Sequence, residues 1–269
     1  MNKTAFIAAL CGYLATGLSA LPQESPSAAA LATLPVSATP KNDSPRPEPG
    51  KVLTLAFPEL GPMHGGLPTA CEISIPKTYD PAKPVPLLVW FGGGVGSHLT
   101  RGANGVVDFD RYVVVALPYP EGRLPRIAAE ELRVDEHWTY HRTMLARIHA
   151  LLPNLDPLRS IAAGTSSGAH YIGYGFDQQW PGFAEAFTEF VLHEGGTAPL
   201  SAAIPGAKGR RLLVAWGTRS ESIWWREWFN ERIALVGADL TLKPIPGAGH
   251  GLNDDGRKAI RAWIDALDE

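Results

Sequence analysis

The chain of 269 residues has only two cysteines, Cys11 and Cys71, and no large excess of either charge, with 24 Lys and Arg against 27 Asp and Glu. Cys11 lies in an N-terminal stretch that reads as a cleaved signal. The mature chain would then hold Cys71 alone, which excludes an internal disulfide framework. Cys71 itself reads as a small buried hydrophobe of a strand. No Lys/Arg cluster runs far along the sequence and the pI is near 6.2, so the electrostatic footprint of a nucleic-acid or anionic-lipid binder is missing. Beyond the N-terminus no apolar run approaches the roughly 20 residues that span a bilayer. There is no internal repeat. Hydrophobic residues make up 45% of the chain, and the length suffices for one sizeable core.

The N-terminus has the parts of an export signal. Lys3 supplies the positive region, Ala5 to Leu18 the apolar stretch, and Leu18-Ser19-Ala20 a small-residue cleavage site. A lipoprotein anchor at Cys11 competes with this reading, but Leu10 before it is the wrong size and the apolar run continues past it. Residues 1–20 are therefore expected to be a signal peptide and the product secreted or periplasmic, without a membrane anchor. Residues 21–50 are rich in Pro, Ala, Ser and Thr and end in Pro45-Arg46-Pro47-Glu48-Pro49-Gly50. Such a composition buries little surface and reads as a spacer. One catalytic domain, residues 51–269, follows, and a monomer is expected.

In that domain short apolar runs alternate with helical patterns, which predicts an α/β fold with a largely parallel sheet. Expected strands are Val52 to Phe57, Ala70 to Ile75, Leu87 to Phe91, Tyr112 to Leu117, Ser160 to Ala163, Phe190 to His193, Leu212 to Trp216 and Leu240 to Ile245. Their near-continuous hydrophobicity suits a sheet covered on both faces. Glu130 to Leu152, Ser167 to Phe176, Trp224 to Val236 and Arg257 to Leu267 carry apolar residues at helical spacing.

Three motifs carry chemistry. Gly164-Thr165-Ser166-Ser167-Gly168 runs from a strand into a helix, the context that makes G-x-S-x-G a sharp turn presenting an exposed nucleophile. Ser166 is the nucleophile candidate, and the N–H of Ser167 an oxyanion donor. Phe91-Gly92-Gly93-Gly94 follows a strand where a second oxyanion donor is needed, with Gly93 and Gly94 as candidates. It lacks the Gly-Lys-Ser/Thr of a phosphate loop. Pro246-Gly247-Ala248-Gly249-His250-Gly251 places His250 on a Gly-flanked loop after the last strand, where an imidazole can serve as general base.

With these motifs the chain from about Lys51 to Glu269 resembles the α/β-hydrolase family, in particular its secreted esterase and polyester-depolymerase-like branch. The resemblance implies an eight-stranded, mostly parallel sheet with helices on both faces, and the order nucleophile, acid, histidine. The acid usually follows the seventh strand, where family members commonly have aspartate. This chain has Ser220 there. Two residues could replace it: Glu221, one position on, and Glu194 in His193-Glu194-Gly195-Gly196 after the sixth strand, with Glu221 preferred.

His137 and His141 would share a helix face, but Trp138 stands where a zinc protease needs glutamate, so neither a metal nor a cofactor is expected. Trp224 and Trp180 are candidates for a substrate wall, with core packing of an amphipathic helix the competing reading at least for Trp225 and Trp228. The resemblance implies a serine carboxylic-ester hydrolase acting through an acyl-enzyme on a small-molecule or polysaccharide ester, with acetylated or feruloylated plant polysaccharide the first expectation. A polyester or lipid esterase, a peptidase, and a non-catalytic binding protein of the same fold stand as alternatives.

Overall fold

A computed structural model describes residues 46–122, 134–196, 204–221 and 223–267. The expected signal peptide and most of the expected spacer lie outside these residues. The spacer's last residues are described, and Gly50 already donates its N–H to the Ile75 carbonyl at 3.1 Å.

The eight expected strands all form, as β1 (Val52–Ala56), β2 (Ala70–Ser74), β3 (Val85–Phe91), β4 (Val113–Leu117), β5 (Leu155–Thr165), β6 (Glu189–His193), β7 (Arg211–Gly217) and β8 (Asp239–Ile245). They make one sheet in the order β1-β2-β4-β3-β5-β6-β7-β8. β2 runs antiparallel to both its neighbours, and the pairs from β4 through β8 are parallel. Among the described residues four α-helices form, α1 (Val134–Leu151), α2 (Ser167–Asp177), α3 (Ile223–Leu235) and α4 (Asp254–Ala266). The expected start of α1 at Glu130 lies outside the described residues.

Burial follows each strand's position in the sheet. Every residue of β4 and β6 is buried, because helices or other segments cover both faces of the central strands and leave no side for polar groups. β8 departs from the expectation: it is the edge strand, and of its residues only Ile245 is buried. Two apolar clusters flank the sheet. One gathers α1 and α2 residues such as Met144, Ile148, Tyr171 and Ile172 with Val89, Val115 and Leu192. The other joins Ile260 and Ile264 of α4 to Leu88, Val114, Ile161 and Leu213. The alternation of these strand residues between the two clusters is the period-two pleat.

α4 begins three residues earlier than expected. Asn253 caps it, its side chain accepting from Gly256 N–H at 2.8 Å, and Asp254 and Asp255 occupy the first turn. The cap satisfies an orphan donor and the carboxylates complement the positive end of the helix.

Candidate active site

Parallel strands send their C-terminal ends to one edge, and the loops leaving that edge form a crevice. Five of these loops meet, after β3, β5, β6, β7 and β8. The register of β5 and β6 pairs Thr165 with His193, so the next residues, Ser166 and Glu194, leave the sheet side by side. Ser166 donates its N–H to the His193 carbonyl at 2.8 Å.

Ser166 sits at φ 51 and ψ -113, outside both strand and helix geometry, between β5 and α2. A non-glycine residue in that region stores strain and persists only where the surroundings fix it. Its neighbours show why they are glycine. A Cβ on Gly164 would lie 2.7 Å from Ala169 N, and one on Gly168 would lie 2.9 Å from Phe91 Cβ. No side chain fits at either position, so the strand can turn into the helix within five residues.

The Ser166 hydroxyl meets His250 Nε2 at 3.1 Å, and the other ring nitrogen, Nδ1, lies 3.4 Å from Glu194 Oε2. Serine, imidazole and carboxylate therefore form one continuous relay. The His250 side chain is half exposed, whereas that of Glu194 is wholly buried. A buried carboxylate needs donors, and it has them. Gly217 donates its N–H to Oε1, the Ser220 hydroxyl donates to Oε2 at 2.7 Å, and Arg226 Nη2 stands 4.0 Å from Oε2. Glu194 is also held at positive φ, 53°, like the nucleophile candidate beside it.

Glu221, the preferred carboxylate of the sequence reading, is a correction. It is solvent exposed, and the carboxylate facing His250 belongs to Glu194. The turn after β7 explains the difference: Ser220 donates its N–H to the Gly217 carbonyl at 3.0 Å, which buries Ser220 and leaves residue 221 outside.

The glycine loop lies against the elbow. A Cβ on Gly93 would be 3.3 Å from Ser166 Cβ. The Tyr119 hydroxyl donates to the Gly92 carbonyl at 2.8 Å, and Gly96 N–H donates to the Gly93 carbonyl at 3.0 Å. The N–H of a trans peptide points opposite its C=O, so the N–H groups of Gly93 and Gly94 face away from these two partners. Ser167 opens α2, where first-turn N–H groups have no partner within the helix.

Two more histidines pack close by. His193 Nδ1 is 2.9 Å from the Thr165 hydroxyl, and His170 bonds through Nδ1 to the Gly196 carbonyl. Burial lowers each to about 4, with the neighbouring His250 charge adding to the effect. Both stay neutral at neutral pH and place no positive charge against the His250 ring.

Trp180 is the second correction. It is buried against Tyr171 and Phe183, with ring centroids at 4.8 Å and 5.5 Å, so it packs the core and presents no face to a substrate. Trp224 lies on α3, and its side chain is outside the described residues. His141 donates through Nε2 to the Pro118 carbonyl at 2.8 Å and accepts from the Tyr171 hydroxyl at 2.7 Å. Burial pushes it down to about 3. His137 is equally buried.

Sequence reading missed Arg226, Tyr119, His170 and His193. His193 and His170 each stand within four residues of a motif residue, which is the only signal they carry. Arg226 and Tyr119 have none, because the contacts that matter join separate loops.

No family model and no curated protein matches the chain. Solved structures do. Esterase 2 of Thermogutta terrifontis, phosphoramylated by tabun, matches with a TM-score of 0.57 at 15% identity, over 82% of this chain and 95% of its own. The propionate-bound esterase from the same organism gives 0.53 at 17% identity, over 76% and 89%. A thermostable esterase gives 0.55 at 18% identity, over 81% of this chain and 60% of its own. The sheet order, the strained turn between β5 and α2 and these likenesses together identify the architecture as the α/β-hydrolase fold.

Proposed function

We propose that the protein is a serine carboxylic-ester hydrolase with Ser166 as nucleophile, His250 as general base and Glu194 as the acid that supports it. The observation that carries the reading is the relay from Ser166 Oγ through the two nitrogens of His250 to Glu194, at 3.1 Å and 3.4 Å. His250 Nε2 takes the Ser166 proton as the oxygen attacks the ester carbonyl, and the imidazolium passes that proton to the leaving alkoxide. Ser167 and Gly93 or Gly94 supply N–H groups to the oxyanion. Water then attacks the acyl-enzyme with the same base, releasing the acid and free Ser166.

The rival reading of a non-catalytic binding protein rested on Ser220 at the usual acid position. Glu194 offers a carboxylate by another route, which supports the catalytic reading. On the substrate, the propionate held by the Thermogutta terrifontis esterase favours the acetylated over the feruloylated form of a polysaccharide. An acetylated or feruloylated plant polysaccharide is the substrate class in our reading. Its support is the N-terminal sequence that reads as an export signal, followed by a Pro-rich stretch that reads as a spacer.

A fluorophosphonate probe tests the reading. Wild type is labelled and Ser166→Ala is not, while both unfold at the same urea concentration. Folded wild type that takes up no label and hydrolyses no p-nitrophenyl acetate would sink it.

A further inference from the structure

We propose that Arg226 and Ser220 are positioning residues that hold the Glu194 carboxylate in place and aimed at His250, and so sustain kcat without touching the substrate. The inference rests on the reading of Glu194 as the supporting acid. Glu194 follows β6, yet its carboxylate is held by groups at and beyond the end of β7: Gly217 N–H, the Ser220 hydroxyl at 2.7 Å and the Arg226 guanidinium at 4.0 Å. Arg226 is as enclosed as its partner, with a side chain only 3% exposed, and its guanidinium lies over the Trp216 ring, 4.8 Å from the centroid. A cation stacked on an aromatic face is fixed in place as well as stabilised. Burying a permanent cation is costly, and its location beside one carboxylate of the relay is what the cost is spent on.

His193 of β6 and His170 of α2 are neutral, both held near 4 by burial, and Arg226 places a cation against the enclosed carboxylate. Arg257 of α4 acts on His193 from further off, and Glu227 balances Arg226 from its own helix. Removing the Arg226 charge leaves a buried negative charge without its counter-ion, and removing the Ser220 hydroxyl takes away one of its hydrogen bonds. Either loss frees the carboxylate to leave the His250 ring, which lowers kcat and leaves KM, set by contacts with the substrate, unchanged.

The experiment is the measurement of kcat and KM separately for p-nitrophenyl acetate in wild type, Ser220→Ala, Arg226→Met, Arg226→Lys and Glu194→Gln. A fall in kcat of about tenfold with KM unchanged is expected in Arg226→Met, and a smaller, measurable fall in Ser220→Ala. Arg226→Lys should restore most of the difference, because it keeps the charge. A wild-type kcat in Ser220→Ala overturns the proposal, as does an Arg226→Lys kcat lowered as far as that of Arg226→Met. If Arg226→Met does not fold, Ser220→Ala and Arg226→Lys carry the test, with a lysine variant slowed by about tenfold counting against it. Wild-type activity in Glu194→Gln would instead overturn the underlying assignment of the acid, a result distinct from any of these.

Discussion

The two candidate glutamates differ in the environment each side chain occupies. Glu194 is enclosed, receives two hydrogen bonds and faces an imidazole nitrogen at 3.4 Å. Glu221 lies in solvent, where a carboxylate neither orients the ring nor offsets its positive charge against water. Glu194→Gln should therefore lower kcat for p-nitrophenyl acetate by about 10³- to 10⁴-fold, the scale of losing a triad acid. Glu221→Gln should leave it close to wild type. Equal losses in both would show that His250 is supported from elsewhere. The glycines flanking Ser166 belong to the same scale, since Gly164 and Gly168 are fixed by neighbouring atoms under 3.0 Å from any added Cβ. That constraint is local, which is why the motif can be read without a structure.

Elements act through their ends. β5 and β6 deliver Ser166 and Glu194 together because their register pairs Thr165 with His193, and a slip of one residue would turn each side chain to the opposite face. β8 delivers His250 on a loop that ends where α4 begins, at the Asn253 cap. Asn253→Ala removes the acceptor for Gly256 N–H and should cost about 1 kcal/mol of stability, read as a lower urea midpoint with an unchanged slope. An unaltered midpoint would mean that water replaces the cap without loss. The strands and helices themselves were legible in the sequence, since hydrophobic runs and helical spacing record burial directly. The ends are less so: helical spacing of apolar residues starts α4 only at Arg257, because its first turn is acidic and carries no apolar residue, although Asn253 with Asp254 and Asp255 is a start signal.

At the scale of the molecule, the fold encloses several histidines that stay uncharged. Burial lowers His170 and His193 to about 4 and His141 to about 3, from an ordinary value of 6.5. The unfolded chain binds these protons at higher pH than the folded one, so stability rises with pH between the two values. It is complete above about pH 6.5 and is lost progressively as the pH falls toward 4. Each such imidazole contributes a slope of about 1.4 kcal/mol per pH unit inside that window. Urea midpoints should fall steeply from pH 7 to pH 5, and a flat profile there would show that these rings are hydrated in the folded protein.

By itself the sequence determined the fold class, the sharp turn at Ser166, the glycine loop and the place of His250 on a loop after the last strand, since each is written in consecutive residues whose size or periodicity has a local cause. Only the tertiary structure decided which carboxylate faces His250, that Arg226 and Ser220 hold it, and that Trp180 belongs to the core. These are relations between segments far apart in the chain. Strand register and the turn after β7 bring Glu194 inward and leave Glu221 outside, and no property of either glutamate's own neighbours in sequence encodes that choice.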